Sequence, residues 1–266
     1  QGGTADKNTA NVTAVSADGK TAQFTVTVPA GIDVGNPYTL YAYRSSRKSE
    51  ITTGSVLDPI TPTVAVLPAA QFNYQATLAD QATVFSIWSK KVIDPAMTTI
   101  SLSFKHLGSM MTLNLKNVGS ATISDLHSIV LQTNPSQNWI INRLNGNGGA
   151  LFDMAAETYV GGSEQFSTTL TFFTPSATLA PDEVGTYYLW FVPKTDIAAF
   201  DLMLASLKSP GTLSDITGLT NVNKSITRSL QTGKNYLLFA TIENDESTTP
   251  PRPYLLKFTD STFIAP

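Results

Sequence analysis

The segment from Thr99 to Asn117 constrains the fold more than any other part of the sequence, because apolar and polar residues alternate along it. The residues on its apolar side are Ile100, Leu102, Phe104, His106, Met111, Leu113 and Leu115. A period of two predicts a β-strand with one buried side and one side in water. The Gly108-Ser109 pair interrupts the alternation and predicts a bulge or a sharp bend. Such a strand needs a surrounding sheet and a second layer against its apolar side.

Many other short segments also have the composition of strands. Asp18-Gly19 predicts a hairpin turn, because glycine accepts the positive φ that such turns require. Further strands are predicted near residues 38–43, 64–67, 82–89, 123–131, 166–173, 186–192, 226–230 and 236–242. The run from Phe200 to Leu204 fits both strand and helix spacing, and the neighbouring strands favour a strand. Since no helix of convincing length is predicted, the sequence indicates an all-β fold built as a sandwich.

Changes in composition suggest how the chain is divided. Residues 1–10 are small and polar, as in a flexible leader. A break near Val92 to Met97 predicts an N-terminal sandwich over residues 11–95 and a C-terminal sandwich over residues 96–245. The acidic and then proline-rich stretch from Asn244 to Pro253 is typical of an extended linker. Residues 246–266 are therefore predicted to comprise a linker and a C-terminal strand.

The composition excludes several classes of protein. Charged residues make up only 14% of the chain, the net charge is -3 and the isoelectric point is about 5.3. A nucleic-acid-binding protein would normally carry a basic surface, so no nucleic-acid partner is expected. The absence of cysteine excludes disulfides and zinc–cysteine sites. No apolar run approaches the ~20 residues that cross a bilayer. Because the chain begins at Gln1, we expect a processed or trimmed N-terminus, and membrane attachment only through a removed or lipidated N-terminal segment.

No catalytic motif is recognisable in the sequence. His106 lies on the apolar side of its strand, which favours a buried, hydrogen-bonded histidine over a ligand or a base. His127 and Asp125 could share one side of a strand, but two ligands are too few for a metal site. We therefore predict no catalytic residue, no metal and no cofactor, and a binding or structural role rather than an enzymatic one.

The three tryptophans could form a surface for sugars, but their contexts differ. Trp88 and Trp190 lie in apolar strands, which favours core positions. Trp139 follows the polar stretch 135–138, which favours exposure and makes it the candidate glycan contact.

The order of several segments resembles that of fimbrillin-like proteins, the subunits of type V pili of Bacteroidales. These segments are Gln23 to Pro29, Tyr38 to Tyr43, Leu67 to Gln71, Ala82 to Trp88, Leu102 to Leu107, and Leu230 to Tyr236 with its Gly-Lys-x-Tyr turn. The resemblance covers the chain from about Gly19 to Glu243.

This resemblance implies two transthyretin-like β-sandwich domains, export as a lipoprotein and display on the outer membrane. It also implies polymerisation by strand donation, in which a protease removes an N-terminal strand and a C-terminal strand of another subunit fills the groove. The family's cleavage follows a basic residue, and Lys7 and Lys20 are the basic residues before Arg44. Roles as a stalk, tip or anchor subunit all remain open.

The predicted C-terminal strand is the candidate donor. It consists of Tyr254, Leu255, Leu256, Lys257 and Phe258. The alternatives, which the sequence leaves open, are that these residues pack on their own domain or begin a further one. The predicted function is that of a pilus subunit that binds other pilins and mediates adhesion through a surface receptor or glycan. The alternatives are a surface lipoprotein that binds glycans without catalysis and, less favoured, a hydrolase with an acidic site.

Overall fold

The computed structural model of the chain describes residues 10–28, 30–44, 64–66, 86–134, 138–142, 151–160, 165–197, 200–208, 223–245, 252–260 and 262. Within these ranges every regular element is a strand, so the predicted all-β class is confirmed. The strands are β1 Asn11–Val15, β2 Ala22–Thr25, β3 Tyr38–Arg44, β4 Val64–Val66, β5 Ile87–Ile93, β6 Lys105–His106, β7 Ser109–Asn117, β8 Ile123–Asn134, β9 Ile140–Asn142, β10 Leu151–Asp153, β11 Thr158–Tyr159, β12 Gln165–Ser167, β13 Thr169–Leu179, β14 Val184–Pro193, β15 Phe200–Lys208, β16 Asn223–Ile226, β17 Asn235–Asp245 and β18 Arg252–Phe258.

Two larger sheets form the main body of the structure. One has six strands in the order β12-β9-β14-β7-β17-β18, and the other has four in the order β13-β8-β15-β16. Neighbouring strands run antiparallel except β7 and β17, which pair in parallel from Asn235 opposite Met110 to Ile242 opposite Asn117. Three smaller sheets, β1-β2, β3-β5-β6 and β11-β10-β4, complete the described structure.

The main core lies between the six-stranded and the four-stranded sheet. It contains alternate residues of β7, β14 and β17 from one sheet and of β8, β13 and β15 from the other. Tyr187 belongs to this core, and burial, with a smaller effect of Glu183, raises the pKa of Tyr187 to about 12. Removal of this apolar surface from water is the principal stabilising term for such a sandwich.

The organising strand β7 is buried on both sides, so the prediction that one side faces water is wrong. Leu113 and Leu115 lie in the main core at 0% exposure, but Thr112 and Asn114 on the opposite side are each only 4% exposed. One reason is that β7 lies in the middle of its sheet, where longer side chains of β14 and β17 flank these short polar ones.

A second apolar cluster covers one end of that opposite side. It contains Trp88, Leu107, Ile141, Phe152, Met154, Trp190 and Val192, and so joins β5 and β10 to the six-stranded sheet. Trp88 and Trp190 are 3% and 1% exposed, which confirms their predicted core positions. The division into two domains near residue 95 stays a prediction.

The break at Gly108 is a change of sheet. β6 pairs with β5, whereas β7, which starts immediately after the break, pairs with β14 and β17. The chain passes so close to the indole of Trp190 that a Cβ at position 108 would lie 2.3 Å from its Cζ2. Only glycine allows this approach, which accounts for the interruption seen in the sequence.

The prediction that the strand begins at Thr99 is wrong. Residues 99–104 are described but lie outside any strand, and Ile100 and Phe104 are 42% and 39% exposed. His106 is also exposed, so its predicted core position is wrong. These residues precede the change of sheet, and β6 contributes only two residues to an outer position beside β5.

Several local predictions are confirmed. Gly19 has a φ of 67° in the turn between β1 and β2, as expected for the Asp18-Gly19 hairpin. The ambiguous run beginning at Phe200 is strand β15. Residues 67–71 and 82–85, which carried other predictions, lie outside the described residues.

Candidate assembly site at the terminal strand

The terminal strand β18 lies at one edge of the six-stranded sheet. It pairs antiparallel with β17, with Ala240 opposite Phe258 and Ile242 opposite Leu256. The register shifts between Glu243 and Asp245, where the pairing approaches the connecting segment 246–251. Among the described strands none pairs with the other edge of β18, so its contacts to the sheet come from one side only.

The side chains of β18 alternate between the core and the outer surface. Tyr254 and Leu256 are each 2% exposed and belong to the main core, and Phe258 packs against that core. Leu255 is half-buried and Lys257 is exposed on the opposite side. Full burial of one large apolar side chain contributes about 1.5–3 kcal/mol. The strand therefore fills a place in the core that would otherwise be open to water.

Polar contacts hold the end of β18 in position. The backbone amide of Thr259 donates a hydrogen bond to the carbonyl of Phe239 at 2.9 Å. Beyond it, Lys224 of β16 forms an ion pair with Asp260, and the hydrogen bond from Lys224 lowers the pKa of this carboxyl. Because β16 belongs to the four-stranded sheet, this pair links the two sheets across the end of the sandwich.

A second ion pair lies on the outer surface of β18. Lys257 Nζ is 3.8 Å from Glu243 Oε1 on the neighbouring strand. Both ion pairs involve side chains in contact with water, where solvent screening leaves such pairs little weight in stability. The buried residues, rather than the charges, hold the strand.

The expectation that Tyr254 to Phe258 form a strand is confirmed, with β18 beginning two residues earlier at Arg252. The predicted linker is shorter than the sequence indicated, because β17 extends to Asp245. In this structure β18 packs on its own sheet, which is the alternative that the sequence left open. The contact between Lys224 and Asp260 had no sequence signal, because the two residues are far apart in the chain and each looks like an ordinary surface charge.

The prediction that Trp139 is exposed is wrong. Its side chain is 0% exposed, and its indole Nε1 donates to the carbonyl of Thr168 at 2.9 Å. Its backbone amide donates to Ser167 and its carbonyl accepts from Lys194, so the residue is held between β12 and β14. The ring centroid lies 5.8 Å from that of Phe191 in the main core. A sugar cannot stack on this ring in the folded state, so Trp139 is not a glycan contact here.

The remaining candidate groups are two histidines and one aspartate, and the structure describes only His106 among their side chains. His127 lies in β8, but its side chain is outside the described part of the structure, as is that of Asp125. Over the described residues no three His, Cys, Asp or Glu side chains lie close enough to hold a metal ion. The same residues contain no helix with the length and apolarity needed to span a bilayer.

No family model and no curated protein matches this chain. Its structure is similar to that of a protein from Bacteroides ovatus with a proposed role in cell adhesion, with a TM-score of 0.47 and 14% identity over 91% of this chain and 76% of the other. A second such protein, from Bacteroides uniformis, gives a TM-score of 0.44 and 13% identity over 91% and 80%. The fimbrial anchor protein Mfa2 of Porphyromonas gingivalis gives 0.35 and 9% over 91% and 77%. The roles named for those proteins are theirs.

Proposed function

We propose that this chain is a non-catalytic structural subunit of a cell-surface pilus or fimbria that joins its neighbours by exchanging β18. The observation that carries the proposal is the position of Tyr254 and Leu256 in the main core, on an edge strand that pairs on one side only among the described strands. A strand of this kind can leave its own sheet and fill the same place in a second subunit without any new type of contact.

The physical basis is the surface that the strand covers. Without β18, the edge of β17 would present unpaired backbone groups, and the core residues beside Ile242 would be in contact with water. An open sheet edge next to an apolar groove binds an extended segment strongly, because backbone pairing and apolar burial are both satisfied. Residues 246–251 have the composition of an extended linker, through which the strand could reach another subunit.

The order of sequence segments shared with fimbrillin-like proteins is in keeping with this role. On that basis the partners are other pilin subunits, and adhesion would act through a receptor on a host or bacterial surface. The chain would be exported and held at the outer membrane by an N-terminal lipid anchor. Two tandem sandwich domains of transthyretin-like type would form the subunit.

Cysteine pairs can test the exchange directly, because the sequence contains no native cysteine. Thr241 and Lys257 lie opposite each other on β17 and β18. Opposing residues of antiparallel strands lie within the Cα separation that a disulfide needs. One preparation carries Thr241→Cys alone and a second carries Lys257→Cys alone. The two are mixed, incubated in mild urea, returned to buffer and oxidised.

If β18 exchanges, the mixture forms disulfide-linked dimers that are visible on a non-reducing gel. The matched control mixes Lys116→Cys with Val184→Cys, which lie opposite each other on the interior strands β7 and β14. We expect little dimer from this control, because neither strand can leave the sheet without unfolding it. Equal dimer yields from the two mixtures would refute strand exchange. The double variant Thr241→Cys/Lys257→Cys, once oxidised, should no longer form mixed assemblies.

A further inference from the structure

The outer side of the six-stranded sheet, opposite the main core, has the features of a ligand site. Among the described residues, the second apolar cluster covers this side near Trp190. Farther along β7, six residues of three neighbouring strands lie side by side. We call them the outer-face patch: Thr112, Asn114, Thr186, Tyr188, Leu237 and Phe239.

The strand register places these six residues on one side of the sheet. Thr186 and Phe239 lie on either side of Asn114, and Tyr188 and Leu237 lie on either side of Thr112. Residues that are paired in this way point to the same side of a sheet. Their sequence neighbours, such as Leu113, point into the main core.

The floor of the patch is polar and incompletely hydrogen-bonded. Thr186 Oγ1 donates to Asn114 Oδ1 at 2.8 Å, and Thr112 Oγ1 donates to Asn235 Oδ1 at 3.0 Å. Asn114 is only 4% exposed, and no residue in the described part of the chain accepts from its Nδ2 amide. The Thr186 hydroxyl therefore bonds to the amide oxygen of Asn114, whereas the Nδ2 group has no hydrogen-bond partner among the described residues. This amide is not enclosed, so its hydrogens can bond to water or to a bound ligand.

The walls of the patch are apolar. Leu237 is 56% exposed, whereas Tyr188 and Phe239 are half-buried beside the polar floor. The exposure of the aliphatic side chain of Leu237 to water is unfavourable. The two aromatic residues, Tyr188 and Phe239, belong to the strands on either side of the floor. The patch therefore offers apolar surface at its sides and hydrogen-bonding groups at its centre.

The charges around the patch indicate a neutral ligand. The nearby cations each pair with a carboxylate: Lys116 with Asp182 at 3.0 Å, Lys257 with Glu243 at 3.8 Å, and Lys224, which lines a cavity with Leu237 and Phe239, with Asp260. An anionic ligand would have to compete with these carboxylates for the lysines, and a cationic ligand would be repelled by the lysines. A ligand without charge meets neither difficulty.

We propose that the outer-face patch binds a neutral saccharide. A sugar ring presents C–H groups on its faces and hydroxyl groups around its edge, which fits aromatic walls around an amide and two hydroxyls. An added peptide strand is not the expected occupant, because β7 is already paired on both sides and offers no free backbone edge. The proposal does not depend on strand exchange, since none of the six residues belongs to β18.

The test measures binding of cellotriose, maltotriose and triacetylchitotriose to the full chain by saturation-transfer NMR and titration calorimetry, with 3′-sialyllactose as a charged comparison. The variants are Phe239→Thr, which removes one wall, and Asn114→Ser, which removes the amide. The matched control is Phe104→Thr, at an exposed aromatic residue outside the patch. We expect at least one neutral trisaccharide to bind, with the Kd raised about tenfold or more in both patch variants and unchanged in the control.

Urea unfolding of each variant establishes that it is folded, and if Asn114→Ser is not, the comparison rests on Phe239→Thr and Tyr188→Ala. The proposal is wrong if no neutral trisaccharide binds or if the patch variants bind like the native chain. Stronger binding of 3′-sialyllactose would also overturn it. So would concentration-dependent dimerisation of the native chain that Phe239→Thr abolishes, because the patch would then be a contact between subunits.

Discussion

Replacing Leu256 by alanine tests whether β18 is part of the core or only lies against it. Leu256 is 2% exposed, lies opposite Ile242 and belongs to the main core. Leucine-to-alanine changes at buried sites cost about 2–5 kcal/mol of unfolding free energy, through lost apolar burial and the cavity left behind. Because β18 lies at a sheet edge, its surroundings can close in partly. We therefore expect a loss of about 2–3 kcal/mol.

The neighbouring residue provides the matched control. Lys257 follows Leu256 in the strand but points outward, with 55% of its side chain exposed. We expect Lys257→Ala to cost less than about 1 kcal/mol, the usual limit for an exposed ion pair. Both substitutions shorten a side chain of β18. A difference in the unfolding free energy that they cost therefore reports which side of the strand faces the core.

Urea unfolding followed by tryptophan fluorescence measures both variants. Trp88, Trp139 and Trp190 are all buried and will change emission when the core opens. Equal midpoints for the two variants, or a loss below about 1 kcal/mol for Leu256→Ala, would refute the placement of β18 in the core.

The same substitution separates the rate of strand exchange from its extent. Leu256→Ala weakens β18 equally in its own sheet and in that of a second subunit, so the final dimer yield in the cysteine experiment should not change. Departure of the strand from its own sheet becomes easier by the same free energy. Exchange should then be faster by up to about 30- to 150-fold.

Three further predictions concern the core. Gly108→Ala should cost about 1–3 kcal/mol because its Cβ would overlap the Trp190 indole, whereas Gly31→Ala, with no atom within 4 Å, should be nearly neutral in the same urea assay. Trp139→Phe should lose about 1–3 kcal/mol, because it removes a buried hydrogen bond to a backbone carbonyl; an unchanged midpoint would contradict the burial of this ring. Burial raises the pKa of Tyr187 from 10.0 to about 12, so the unfolded chain releases this proton first as the pH rises. The contribution of this group to stability is therefore present below about pH 10 and declines toward about pH 12. Between about pH 9 and pH 11, the unfolding free energy of Tyr187→Phe should fall by about 1 kcal/mol less than that of the native chain.

Local features of the sequence predicted the class of fold and many of its strands. The hairpin at Gly19 was predictable because its turn needs a positive φ that glycine supplies. The strand beginning at Phe200 and the core positions of Trp88 and Trp190 follow from short-range composition. In each case the signal lies within a few residues of the feature that it predicts.

Features that depend on distant residues were not predictable. The alternation of residues in β7 predicts that its polar side faces solvent. Asn114 is nevertheless buried, between β14 and β17, which come much later in the chain. Trp139 follows polar residues, but its burial results from pairing of β9 with β12 and β14. The same holds for the outer-face patch, whose members come from three separate strands.

The parallel pairing of β7 with β17 has a consequence for how the chain acquires its structure. Asn235 to Ile242 pair with Met110 to Asn117, so a central seam of the largest sheet joins segments more than a hundred residues apart in sequence. The sandwich cannot close until a ribosome or a translocation channel has released the chain past β17. Long-range closure of this kind is slow, and the earlier strands remain exposed to mispairing meanwhile. We therefore expect β7 and β14 to be the strands most open to mispairing until β17 takes its place beside β7.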